Sequence, residues 1–131
     1  MVSYFNPPGL TASPYYSHSA RIEGGTVVLV SGQMALDASG ALVGAGDMSI
    51  QAAKVFANIR TGLEAASATV DQIVSIDTYY TSRADLAAYR EARMEFFRGR
   101  TAPPPVSVAV QVAGLVLEGA VVEVSVVAIV P

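Results

Sequence analysis

Residues 102–115 read APPPVSVAVQVAGL. The prolines at 103–105 exclude a helix interior, because each lacks a backbone donor and fixes φ. Beyond them, Val106, Val108, Val110 and Val112 alternate with Ser107, Ala109, Gln111 and Ala113. A period of two is a strand with two unlike faces. One face is greasy and the other small and uncharged. The strand is therefore core on one side, with a subunit interface or a pocket wall on the other.

Working outward, a turn around Leu117–Gly119 leads to a second strand, Ala120–Val130. Upstream, Leu86, Tyr89, Phe96 and Phe97 space an amphipathic helix that ends by Gly99. Ser82 and Asp85 provide a start resembling a capping box. IVSIDTYYTS at 73–82 alternates and is a strand. Before it, Ile50, Ala53, Phe56, Ile59, Leu63 and Ala66 mark another helix, capped by Asp47 or Ser49 and running to about residue 67. Ser19–Glu23 and Thr26–Ser31 are strands around Gly24–Gly25, a dipeptide that favours a hairpin. Residues 1–18, with Pro7, Pro8, Gly9 and Pro14, form an irregular arm. The expected fold is a single α+β domain over 1–131, in the order ββ-α-β-α-ββ, with two helices on one face of a mixed sheet. The other face, including Ser107, Ala109, Gln111, Glu123 and Ser125, is left to solvent or to another subunit.

The composition sets limits on function. The chain is 52% hydrophobic and 15% charged, an apolar excess for a 131-residue monomer that points to oligomerisation. Net charge is −3 and the eight basic residues are dispersed, which argues against nucleic acid as a partner. With no Cys and one His, most zinc, iron–sulfur and thiol chemistry is excluded, so no metal is expected. The N-terminus lacks a basic and apolar signal pattern, and the run at 120–131 is too short to span a bilayer. A cytoplasmic protein with no membrane partner is expected.

Glu123 interrupts the apolar run AVVEVSVVAIV. Burying an ionised carboxylate without partners is expensive. Glu123 is thus either a solvated carboxylate on the exposed face or a cleft residue that holds or activates a water. His18, in PYYSHS, has no second ligand nearby, and Ser17 points to the opposite face, so neither a metal site nor a Ser–His pair is expected. Tyr15 and Tyr16 are candidates for core, subunit contact or pocket lining. Arg83, Arg90, Arg93, Arg98 and Arg100 gather around the second helix and fit a solvated face. The glycines at 40, 44 and 46 have no phosphate-loop spacing.

Five stretches, in this order, resemble the RidA (YjgF/YER057c/UK114) family. They are PYYSHS at 14–19, VLVSGQMALDASGALVG at 28–44, QAAKVFANIRTGLEAASATVDQIVSIDTYYT at 51–81, LAAYREARMEFF at 86–97 and VAVQVAGLVLEGAVVEVSVVAIV at 108–130. The resemblance implies a homotrimer of chorismate-mutase-like subunits with ligand clefts between neighbours. It also implies cofactor-independent hydrolysis of reactive enamines and imines to 2-keto acids and ammonia. Carried over residue by residue, Glu123 positions or activates the attacking water. Ser31 and Gly32 of the SGQ motif and Tyr16 shape the ligand site. In deaminating members, the strand after the prolines begins with an Arg that grips the substrate carboxylate. Counting back from Val110–Ala113 places that residue at Ser107, and no Arg lies in 101–131.

The first expectation is therefore a trimer lacking this Arg, binding a small neutral or cationic carbonyl- or imine-type metabolite in a pocket shaped by Ser31, Gly32, Tyr16 and Ser107. If it turns over, Glu123 holds the water. One alternative is a 2-iminobutanoate/2-iminopropanoate deaminase with a relocated cation, for which Arg90 and Arg100 are the candidates. Another is a non-catalytic sensor. Endoribonuclease activity, a label some members carry, ranks last because RNA needs a basic groove.

Overall fold

The computed structural model describes residues 1–131. Its strands are β1 (Val2–Phe5), β2 (Ser19–Ile22), β3 (Thr26–Gln33), β4 (Ile73–Tyr80), β5 (Val106–Gln111) and β6 (Val122–Val130). The helices are α1 (Met48–Ala65) and α2 (Leu86–Phe96). β3, β6, β4 and β5 form one mixed sheet in that order; β6 is antiparallel to both neighbours and β5 runs parallel to β4. Both helices cover one face of it, as the α+β reading expects. From residue 19 onward the element order also agrees.

Helix α1 starts where Asp47 accepts a hydrogen bond from the Ile50 amide at 3.0 Å, satisfying one of the donors a helix start leaves free. It buries Ala52, Val55, Phe56, Ile59 and Leu63. Ile50 is not on that stripe; it is half exposed and packs over Gly44, whose φ of +70° keeps it free of a side chain. α2 contributes Tyr89 and Phe96, and Phe96 stacks on Phe56 with ring centroids 4.6 Å apart. Beneath them lie Ile76, Val122, Val124, Val126 and Ala128. Buried Gln51 ties the loops near the site together. Its side chain donates to the carbonyls of Gly44 (2.9 Å) and Gly119 (2.7 Å) and accepts from the Val121 amide (2.9 Å).

The sequence reading needs three corrections. First, Gly24–Gly25 does not close a hairpin between β2 and β3. β2 pairs with β1, from Val2 opposite Ile22 to Phe5 opposite Ser19, in a separate two-stranded ribbon. The glycines, at φ +76° and +90°, instead pass the chain between sheets, and a Cβ on Gly25 would strike Ile129 at 2.7 Å. Second, the arm is therefore not wholly irregular. Third, Ser107, Ala109 and Gln111 lie on the helix side of the sheet. Register pairs them with Ile76, Thr78 and Tyr80, whereas Val106, Val108 and Val110 pair with Ser75, Asp77 and Tyr79 on the open side. Alternation separates the two sets, but only the partner strand determines which set faces which way. Glu123 and Ser125 do lie on the open side, opposite Tyr79 and Asp77.

Candidate functional site

The open face exposes large apolar side chains beside the polar Ser75, Asp77 and Ser125. Val27 and Val108 are 59% and 52% exposed, and Leu29 reaches 74%. Into this surface β6 projects Glu123, beside Tyr79 of β4. β3 is interrupted opposite it: the pairing with β6 shifts between Val30 and Gln33, and Ser31 and Gly32 occupy the bulge. Bulges re-aim a strand at the point where they occur. Here the bulge brings Gly32 under the Glu123 side chain, and a Cβ added to Gly32 would stand 3.0 Å from the Glu123 carboxyl carbon. Only a glycine leaves the carboxylate that seat. Glu123 forms no ion pair within the chain, whose two pairs are Arg21–Glu23 and Glu95–Arg98. Glu123, Ser31 and Gly32 are thus brought together.

Tyr16 and Ser107 are brought together elsewhere. They line a hollow of about 320 Å³ between α2, β5 and the 15–16 segment, with Tyr80, Tyr89 and Arg90 in its wall. Ser17 fixes the segment, its hydroxyl donating to the Pro104 carbonyl at 2.6 Å and its amide to that of Pro105 at 3.1 Å. The His18 ring bonds to the Thr11 carbonyl and packs edge-on against Tyr16, so its role is local. Because Ser107 faces the helices and Glu123 faces away from them, one chain presents two half-sites on opposite sides of its sheet.

Sequence reasoning missed Arg93. Its guanidinium donates to Ser107 Oγ at 3.2 Å and to the Tyr15 carbonyl at 3.0 Å. Arg93 follows Tyr89 by four residues and precedes Phe97 by four, a spacing that places all three on one side of α2 and that the sequence displays. Of the candidates named beforehand, Arg100 is consumed by structure. It donates to the carbonyls of Val70, Asp71 and Pro103 and to the Tyr4 hydroxyl. Arg90 lines the hollow from its rim. Below Arg93, the Tyr89 hydroxyl shares a hydrogen bond of 2.5 Å with Thr78. Burial pushes Tyr89 above its usual range, while the Thr78 bond and the Arg93 charge draw it partly back. No three His, Cys, Asp or Glu side chains gather as metal ligands would.

The family described as Endoribonuclease L-PSP matches residues 9–130. The chain belongs to this family. Solved relatives place it in the Rid (YjgF/UK114) group. A Rid-family protein of unknown function from Yersinia pestis superposes with a TM-score of 0.88 at 30% identity, over 98% of both chains. TdcF of Escherichia coli, solved with bound serine, gives 0.73 at 26% identity over 84% of this chain and 85% of that one. Among curated proteins, a RutC family protein of Pyrococcus abyssi is 31% identical over 97 residues, 74% of this chain and 76% of its own. DfrA of Myxococcus xanthus is 29% identical over 87% of this chain and 84% of its own. For this Rid-family chain, the Ser31–Gly32 bulge, with Gly32 against Glu123, falls within the matched region, as does the Ser107 hollow. No helix is long and apolar enough to cross a membrane.

Proposed function

We propose that the chain assembles as a homotrimer and binds a small carbonyl- or imine-type metabolite in clefts between subunits, where a water held by Glu123 hydrolyses it without a cofactor. The observation that carries this reading is the Glu123 carboxylate, seated over Gly32 without an ion-pair partner on an uncovered face that also exposes Val27, Leu29 and Val108. A carboxylate in such a place costs stability unless it is used. A second copy packed on this face excludes water and sets one chain's Tyr16 and Ser107 against its neighbour's Glu123. The bound serine of TdcF supports a ligand of about amino-acid size.

The chemistry follows from the groups present. Glu123 accepts a proton from water as the oxygen adds to the C=N carbon. The same proton is then returned to nitrogen, and the carbinolamine collapses to a carbonyl compound and ammonia. In this reading Ser31, in the adjacent bulge, hydrogen-bonds the adding oxygen. Arg93 against Ser107 favours the variant of this reading in which the substrate is a 2-imino acid and the cation is relocated.

The test generates 2-aminoacrylate in situ and follows ammonia and pyruvate release. Wild type is expected to accelerate hydrolysis, and Glu123→Gln to lose about 10²-fold or more of that rate, the usual contribution of a general base. No acceleration, or a Glu123→Gln protein as fast as wild type, overturns the reading in favour of a binding module.

A further inference from the structure

The proposed chemistry gives Arg93 a role as the relocated cation but leaves unexplained the hollow that surrounds it. The polar partners of Arg93, Ser107 Oγ and the Tyr15 carbonyl, are neutral, and its Cζ lies 5.6 Å from the centroid of the Phe97 ring. Neither Arg93 nor Arg90 belongs to the chain's two ion pairs. Two guanidiniums therefore face one hollow with no carboxylate to balance them. A guanidinium carries five N–H donors in a planar fork, and the Ser107 and Tyr15 bonds leave Arg93 with donors to spare. Uncompensated cations at a half-buried concave surface favour an anion, because field lines concentrate where the walls are of low dielectric.

The remainder of the wall is unlike an inorganic-anion site. Tyr16, Tyr80 and Tyr89 present rings, and Met94 adds a polarisable thioether. Flat apolar walls of this kind favour an aromatic ring, stacked or edge-on. The hollow's volume of about 320 Å³ suits a small organic molecule rather than a polymer.

We infer that this hollow selects a carboxylate that carries an aryl group, with the carboxylate on Arg93 and the ring among Tyr16, Tyr80 and Tyr89. The inference rests on reading Tyr16 and Ser107 as one half of the ligand cleft, and it names the ligand class which that half selects. Arg93 is the specificity-determining residue, and Ser107 and the Tyr15 carbonyl hold its fork in place.

The experiment is calorimetric titration of the full-length protein with phenylpyruvate, pyruvate and phenylacetone, the last being neutral but otherwise close in shape to the first. Phenylpyruvate is expected to bind at least tenfold tighter than either. Arg93→Met is expected to weaken phenylpyruvate roughly ten- to hundredfold, the loss of one or two charge-assisted hydrogen bonds, and to leave phenylacetone unchanged. Ala109→Trp, which fills the hollow from β5 and keeps Arg93, is expected to weaken both aryl ligands. Equal affinity for phenylpyruvate and phenylacetone overturns the inference. So does an Arg93→Met protein with a native circular-dichroism spectrum and unchanged binding. If Arg93→Met does not fold, wild-type selectivity and Ala109→Trp decide the matter. Arg93-dependent binding without imine turnover sustains the inference and rejects the Glu123 chemistry. Glu123-dependent turnover with no preference for aryl carboxylates does the reverse.

Discussion

Replacing Tyr89 with Phe removes one oxygen from the floor of the hollow, and the structure fixes what that oxygen is worth. Thr78 is completely buried and Tyr89 is 3% exposed; their hydroxyls share a hydrogen bond of 2.5 Å. Phe keeps the ring that packs 5.9 Å from Phe56, so apolar packing survives. What remains is a Thr78 hydroxyl sealed from water without its partner, a state that costs about 1–3 kcal/mol. Adding Thr78→Val removes both polar groups at once, and such paired removal is nearly neutral. The double variant is therefore expected to be more stable than Tyr89→Phe alone, contrary to additivity. Urea unfolding at one fixed protein concentration measures this, because the proposed assembly would make the midpoint depend on concentration. A Tyr89→Phe midpoint equal to wild type, or a double variant weaker than either single one, refutes the argument.

The same hydroxyl gives an alkaline signature. Burial raises Tyr89 above 10.0 in the folded state, so the native protein keeps this proton to higher pH than the unfolded chain. Below about pH 10 the two states bind it equally. As pH rises beyond that toward the folded value, the native state holds more protons and stability falls. Tyr89→Phe is expected to lack this component, giving a shallower decline in unfolding midpoint between about pH 9 and 11.

Two further outcomes test other parts of the account. Leu29 is 74% exposed on the open face of the edge strand β3, so Leu29→Glu is expected to leave the subunit folded and turn the proposed trimer into a monomer by light scattering; a wild-type monomer at micromolar concentration removes the inter-subunit cleft. Asp71 accepts from the Thr101 amide and hydroxyl at 2.7 and 2.8 Å and from the Ala102 amide, bonds that hold its carboxyl below the usual carboxylate range. Its contribution is present above about pH 4 and is lost as pH falls through the folded value, so Asp71→Asn is expected to flatten the acid limb of the stability profile.

Much of this was legible in the sequence, because periodicity is local. Val106–Gln111, Val122–Val130 and Ile73–Tyr80 each announce a strand, and Asp47 announces the start of α1 at its own position. What periodicity withholds is sign. Val106, Val108 and Val110 look like core, yet they face away from the helices because β5 pairs in parallel with β4 at Ser75, Asp77 and Tyr79. The hairpin expectation failed for a related reason. Gly24–Gly25 specifies a turn, but the partner of β2 is a strand inside a segment whose prolines masked it. For the site, Glu123 was legible as an unusual residue and Gly32 only through the SGQ resemblance, whereas their contact depends on a one-residue bulge in β3. Arg93 was hidden among arginines of which most are ordinary surface charges; Arg98 pairs with Glu95 and Arg100 binds carbonyls.

The exposed valines and the divided site have one explanation. A four-stranded sheet with helices on one side leaves the other side to solvent or to a partner, and polar residues there would suffice for solvent. This chain places Val27, Leu29, Val108 and Val110 there instead, and sets Glu123 among them. Apolar surface of this kind is stabilised by a second copy, and in the proposed trimer the same packing would desolvate Glu123 and strengthen the proton transfer proposed for it. Ser107 and Arg93, on the far side of β5, can meet a carboxylate on Glu123's strand only if it belongs to another chain. In the proposed trimer, assembly and chemistry are coupled through β5, and any substitution that keeps the subunit folded but uncovers the open face is expected to abolish turnover without altering a single residue of either proposed half-site.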